Sequence, residues 1–265
     1  MAAQGALLAI VARDHSRGEE EARRARAAAT TPEAIVDVLL ADLTSQAEVR
    51  RLAAEISARY GAVDVLVNNA GAMFNSRQVT ADGIEETWAL NHLAPFLLTT
   101  LLLGNLTAAG IARVVTTSSD AGRRSRLPFD DLDGTQAYKS GTWPARGFRR
   151  YGETKLANIV FTMELARRTE GSGVSAFCYH PGNVATNFNH NNGALMSFGM
   201  ALTKQFSRSP AKGAETLVWL AQSPDLASKS GGYFFDLKPR QIPEGALEAG
   251  AGSRLWDVSE AQVRA

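Results

Sequence analysis

The strongest constraint on this chain is an alternation. Short apolar runs of strand length are separated by stretches whose apolar residues recur at helical spacing. The runs are Leu7–Val11, Ile35–Leu40, Val63–Val67, Arg113–Thr117, Val174–Cys178 and Gly232–Phe235. Their near-continuous apolar character predicts strands buried on both faces, which is the habit of a parallel sheet covered by helices. Between them, Arg17–Ala29 and Gln46–Tyr60 read as helices, the second placing Val49, Leu52, Ala53 and Ile56 on one face. Glu85–Leu103 reads as a helix broken near Pro95, since proline cannot donate to the preceding turn. Tyr151 to Thr169 is the clearest, with Leu156, Ile159, Val160 and Met163 at i, i+3, i+4 and i+7. The expected fold is α/β, a doubly wound parallel sheet, and 265 residues suit a single domain.

Two stretches lack periodicity. Asp120 to Arg150 mixes Arg123, Arg124, Arg126, Arg146, Arg149 and Arg150 with Asp130, Asp131 and Asp133, and reads as a solvated loop. Asn187 to Pro210 carries Met196, Phe198, Met200 and Phe206 among Gly and Asn, the composition of a substrate flap with an apolar underside. With 28 basic against 27 acidic side chains, no charge excess points to nucleic acid. Cys178 is the one cysteine, so an intramolecular disulfide or multi-cysteine zinc site is excluded, and no metal site is expected. The most apolar stretch, Leu93 to Leu103, is far short of the roughly 20 residues that span a bilayer. The apolar run Ala6 to Ala12 has no preceding Lys or Arg and is cut off by Arg13-Asp14, so it reads as a strand and not a secretory signal. A soluble, cytoplasmic protein is expected, with self-association into a homo-oligomer left open.

Chemistry-bearing residues gather where strands end. Asn68-Asn69-Ala70-Gly71 follows one strand, Ser118-Ser119 another and His180-Pro181-Gly182 a third, while Asn91 and Tyr151-Gly152-Glu153-Thr154-Lys155 lie on helices. Open α/β sheets collect ligands at the carboxyl ends of their strands. The i, i+4 spacing of Tyr151 and Lys155 puts a phenol and an ammonium on one helix face, where a cation would lower the phenol's pKa towards neutrality.

As an ordered set, Leu66-Val67-Asn68-Asn69-Ala70-Gly71, Asn91-His92-Leu93-Ala94-Pro95-Phe96, Tyr151 to Asn158 and His180-Pro181-Gly182 resemble the short-chain dehydrogenase/reductase family, in its retinol-dehydrogenase-like branch. The resemblance runs from about Gly5 to Val258 and implies hydride transfer between a nicotinamide cofactor and an apolar carbonyl or alcohol. It implies that Tyr151 is the general acid or base and that Lys155 lowers its pKa and holds the nicotinamide ribose. It makes Ser119 the support of the substrate oxygen, with Ser118 one residue of misalignment away, and Asn91 the holder of a relay water. It further implies that Asp42 meets the adenine ring, that Asn69, Ala70 and Gly71 line the adenosine side, and that Pro181, Gly182 and Thr186 position the carboxamide. Arg13 follows the strand Leu7–Val11 where an acid would mark NAD, so NADP is the favoured cofactor and NAD the alternative.

One expected part is missing. The family's first strand and its glycine-rich turn, which holds the pyrophosphate at a helix N-terminus, have no counterpart in this sequence. Leu7–Val11 resembles the family's second strand, as if about 30 residues were absent or the natural protein were longer. An empty central position would orphan backbone groups at about 1–3 kcal/mol each, so Leu7–Val11 is expected to pair directly beside Val63–Val67. The alternative function is a non-redox enzyme or binding scaffold that has given up ordinary dinucleotide binding.

Overall fold

The structure, a computed structural model, describes residues 1–29, 35–139, 145–184 and 208–264. It is an α/β fold of Rossmann type whose parallel strands are covered by helices. The chain runs through β1 (Leu8–Ala12), α1 (His15–Ala27), β2 (Val36–Leu40), α2 (Gln46–Tyr60) and β3 (Val65–Asn68). A short helix, α3 (Glu86–Trp88), then leads through a π-helical turn (Ala89–Leu93) into α4 (Ala94–Leu101) and α5 (Leu103–Ala108). Next come β4 (Ala112–Thr117), α6 (Thr135–Lys139), α7 (Ala145–Arg168) and β5 (Val174–Tyr179). The chain ends with α8 (Pro210–Gln222), β6 (Tyr233–Phe235), β7 (Lys238–Pro239) and α9 (Ala251–Arg264).

Each predicted strand forms, shifted by at most two residues at an end. The strand pairing departs from expectation. Among the described residues β1 pairs only with β2, while β3 to β7 form a separate sheet in the order β3-β4-β5-β6-β7. All pairs are parallel except the β6–β7 hairpin. The expected pairing of Leu7–Val11 with Val63–Val67 is therefore wrong. Leu8 donates to Ile35 and Ala12 accepts from Ala41, so the intervening amides of Ala9 and Val11 point away from β2. In the same way Asp64 accepts from Arg113, and the amides of Val65 and Val67 point away from β4. The anticipated penalty does not arise, because these edges stay within reach of water: Ala9 is exposed and Val65 and Val67 are only half-buried.

Helix packing joins the two sheets instead. Leu39 and Ala41 share one apolar core with Val49, Leu52, Ala53 and Ile56 of α2, Leu66 of β3, and Leu93, Leu97 and Leu98 of the π turn and α4. The Tyr60 hydroxyl donates to Asp37 at 2.6 Å, fastening the end of α2 to β2. By contrast α1 buries only Gly18 and Ala22 and keeps its charged face in water.

One local reading holds and one needs correction. The helix from Glu85 is broken near Pro95 as expected, just before it. Pro95 has no N–H for the carbonyl of Asn91, and the Ala94 amide reaches back to Ala89, which widens the turn into a π-helix. The stretch from Asp120 to Arg150 is more ordered than a solvated loop: it contains a 3₁₀ turn (Asp120–Arg124), α6 and the first residues of α7, and the Arg150 side chain is fully buried.

Candidate active site

The carboxyl ends of β3, β4 and β5 and the helices α4 and α7 bring four of the predicted residues into one place. Ser119 follows β4 and caps the 3₁₀ turn, accepting from the Ala121 amide at 3.3 Å. Its hydroxyl lies near enough to the Tyr151 phenol to pull that group's pKa down. Ser118 points elsewhere, donating to the Lys155 carbonyl at 2.7 Å in a buried site. The two serines thus have different tasks. Ser118 braces α7, and Ser119 faces the phenol.

Lys155 lies one helical turn below Tyr151 and is 2% exposed. Its ammonium donates to the Thr117 carbonyl at 3.1 Å and sits 5.5 Å from the centre of the Tyr151 ring. The predicted depression of the phenol's pKa is not what this arrangement produces. Burial pushes Tyr151 up to about 12, which the Ser119 hydroxyl offsets only in part. Burial likewise pulls Lys155 down to about 8. Both groups are therefore held in forms less charged than water would leave them.

Asn91 occupies the π turn and is fully buried. Its Oδ1 accepts from the Ala72 amide at 2.9 Å, and its Nδ2 donates to the Ala72 carbonyl at 2.8 Å and to the Thr154 hydroxyl at 3.0 Å. The side chain is committed to the loop after β3 and to Thr154 of α7. Gly71 sits against this pair. A Cβ there would lie 3.0 Å from Asn91 Oδ1 and 3.1 Å from Lys155 Nζ, so the glycine is needed for close backbone approach.

The predicted cofactor residues fall into two groups. Arg13 and Asp42 lie just beyond β1 and β2. Arg13 is exposed, and burial of Asp42 is outweighed by hydrogen bonds from Thr44 and the charge of Arg13, which hold its carboxyl below the usual range. Asn69 and Ala70 are exposed at the end of β3, the Asn69 Oδ1 accepting from Thr117. Pro181 and Gly182 are half-buried past β5, Gly182 in the left-handed region at φ 83°. Thr186 and the flap residues Met196, Phe198, Met200 and Phe206 lie outside the described residues. These groups suit the two ends of a dinucleotide. Among the described residues, no glycine-rich turn leads from a strand into a helix to hold its pyrophosphate.

Sequence reasoning missed a charged cluster beside Gly182. Asp120 accepts from Arg240 at 2.8 Å and lies 3.6 Å from His180, whose pKa burial lowers to about 4. Arg208 pairs with Asp236, and both arginines lie over the Phe235 ring, at 4.7 and 5.0 Å. No spacing announces these contacts, since the partners come from distant segments.

The described geometry has close parallels among known proteins. The family model for short chain dehydrogenase matches residues 1–129. Retinol dehydrogenase 14 of Mus musculus is 36% identical over 98% of this chain and 79% of its own length. The chain belongs to the short-chain dehydrogenase/reductase family. Within it the chain falls in the retinol-dehydrogenase-like branch, and it is an NAD(P)-dependent oxidoreductase. A protein of Streptomyces sp. (strain C5), whose name assigns it provisionally as daunorubicin C-13 ketoreductase DnrU, is 39% identical over 99% of this chain and 86% of that one. Among solved structures, an uncharacterised protein of Mycobacterium paratuberculosis superposes with a TM-score of 0.73 at 31% identity, covering 99% of this chain and 86% of the other. A short chain dehydrogenase of Burkholderia cenocepacia J2315, solved in complex with NADP, shares the fold at a TM-score of 0.66 and 23% identity, covering 88% and 86%. Among the described residues of this family member, no helix is long and apolar enough to cross a membrane.

Proposed function

We propose that the protein reduces the carbonyl of a fairly apolar small molecule with NADPH, or oxidises the matching alcohol with NADP. The observation that carries this reading is the convergence of four groups: the Lys155 ammonium lies 5.5 Å from the centre of the Tyr151 ring, and a Cβ on Gly71 would meet both Lys155 Nζ and Asn91 Oδ1. Bound nicotinamide would supply or accept the hydride. Tyr151 would give its proton to the carbonyl oxygen in reduction, the form in which burial already holds it. Ser119 would donate to the same oxygen as charge develops there. Lys155 would hold the ribose hydroxyls, and the Asn91 carbonyl would hold a water connecting Lys155 to solvent. Asp42 would meet the adenine, Asn69, Ala70 and Gly71 the adenosine side, and Pro181, Gly182 and Thr186 the carboxamide.

Two features favour NADP over NAD. Arg13 is exposed at the end of β1 and suits a 2′-phosphate. Its neighbour Asp14, the acid that could serve a ribose 2′-hydroxyl, is committed to capping α1, where it accepts from the Arg17 amide at 2.9 Å.

NADPH and NADH titrations by fluorescence, with turnover on a panel of apolar aldehydes and ketones, test this reading. Tyr151→Phe should cut reduction by about 10²-fold or more in a folded protein. Arg13→Asp should weaken NADPH much more than NADH. Near-normal turnover in the first variant would refute the acid assignment, and equal losses in the second would refute the phosphate assignment. Tighter binding of NADH than of NADPH would refute the cofactor preference.

A further inference from the structure

Next to Tyr151 the chain buries a charge cluster that the reaction does not use directly. Arg150 is 0% exposed, as is Glu85, and Arg150 Nε donates to Glu85 Oε2 at 2.7 Å. The other guanidinium nitrogens donate to Glu153 Oε2 at 3.2 Å and to the Asp131 and Leu132 carbonyls at 3.4 and 2.6 Å. The guanidinium also lies 5.0 Å from the centre of the Trp88 ring. Glu85 is equally occupied: it accepts from the Thr87 and Trp88 amides at 2.8 and 3.0 Å, capping α3, and from the Tyr138 hydroxyl at 3.0 Å. That hydroxyl also meets Thr87 Oγ1 at 2.9 Å and the Phe74 carbonyl at 3.2 Å.

The cluster joins the three segments that carry the site. Arg150 precedes Tyr151 on α7; Glu85 caps the helix that runs through the π turn to Asn91; Tyr138 reaches the loop three residues past Gly71. Burying an ion pair is rarely the cheapest way to stabilise a protein, because desolvation consumes much of the attraction, and an apolar pair of like volume often serves as well. What the fork of a guanidinium adds is direction, since its donors fix angles as well as distances. We infer that Arg150 and Glu85 are positioning residues for the reaction, setting Tyr151 in register with Asn91 and Gly71. The inference rests on the proposed role of Tyr151.

The test compares Arg150→Lys with Arg150→Met, Glu85→Leu and the double variant Arg150→Met/Glu85→Leu. Each single apolar variant strands a buried charge or leaves the partner's donors unpaired, and should melt well below wild type. The double variant removes both charges and should recover part of that loss, since Glu153 keeps its bond from Arg149 while the Thr87 and Trp88 amides lose their Glu85 cap. If the pair positions Tyr151, the refolded double variant should keep its NADPH KM within about twofold while kcat falls about tenfold or more, and Arg150→Lys should recover only part of kcat. A second readout needs no activity: with 13C-labelled tyrosine, the Cζ resonance of Tyr151, assigned from Tyr151→Phe, should move in the double variant while those of Tyr60 and Tyr179 stay in place. A double variant with partly recovered melting temperature, wild-type kcat and an unmoved Tyr151 resonance would overturn the inference. A wild-type protein that turns over no carbonyl would count against the proposed function, and the resonance would still decide the positioning role.

Discussion

Replacing Lys155 by methionine should make the protein more stable at neutral pH while removing its turnover. The ammonium is almost completely buried, and desolvation lowers its pKa from 10.5 to about 8. At about 1.36 kcal/mol per pKa unit, holding the charged form inside costs about 3 kcal/mol. Below pH 8 the native and unfolded chains both carry the proton and the whole penalty stands. Between pH 8 and 10.5 the unfolded chain still binds a proton that the native protein has released, so native stability rises with pH across that window. Methionine fills similar volume with no charge, at the loss of one hydrogen bond worth about 1–2 kcal/mol, and the Thr117 carbonyl keeps its bond from Asn158 at 3.2 Å. The net gain at pH 7 is about 1–2 kcal/mol, or a rise of about 2–8 °C in melting temperature for a chain of this size. Calorimetry of both proteins at pH 7 and pH 10 is the assay, and the variant's advantage should shrink or reverse at the higher pH. An advantage that is the same at both pH values, or none at pH 7, would mean that Lys155 is not held at a lowered pKa and that the reasoning fails.

Ser118→Ala should lower stability by about 1 kcal/mol in denaturant unfolding, because it removes a buried hydrogen bond that the Lys155 carbonyl accepts besides its helical one, and should leave most of the turnover intact. Ser119→Ala should do the reverse, costing about 10²-fold in kcat with little change in the unfolding midpoint; interchange of the two results would reassign the pair. Gly71→Ala pushes a methyl group against Asn91 and Lys155 and should reduce kcat about tenfold or more in steady-state assays, with an unaltered circular dichroism spectrum. In hydrogen exchange resolved to single amides, Ala9, Val11, Val65 and Val67 should exchange far faster than Leu8 and Leu66, whose amides are taken up by pairing; equal protection would show that the two strand edges are covered.

The strands were legible because each is an uninterrupted apolar run, and the site because its residues lie beside those runs in an order that few folds reproduce. Arg150 was not. Its neighbours Arg146 and Arg149 make it look like one more solvated charge, and the Glu85 that pairs with it lies 65 positions earlier in the chain. The split between β1 and β3 was misjudged for a different reason. The argument from orphaned backbone groups assumed that the vacant edges would be dry, and it overlooked that α2 can weld β2 to the rest of the core by side chains alone. The upward pKa of Tyr151 also escaped the sequence, since spacing places a cation near the phenol but says nothing of how deeply both are buried.

The break in the sheet divides the molecule's resistance to unfolding. Strand pairing transmits cooperativity because opening one strand unzips its neighbour, and among the described residues no such ladder crosses from β1 to β3. The segment from β1 through α1 to β2 is docked on the remainder chiefly through Leu39, Ala41 and the Asp37 clasp, with α1 burying only a glycine and an alanine. Such a segment is expected to open as a foldon of its own, at lower free energy than the body that carries Ser119, Tyr151 and Lys155. Grip on the adenosine end of a dinucleotide, through Arg13 and Asp42, would thus fade on warming before the acid-base machinery is lost, and a bound cofactor bridging both bodies would fuse two melting events into one.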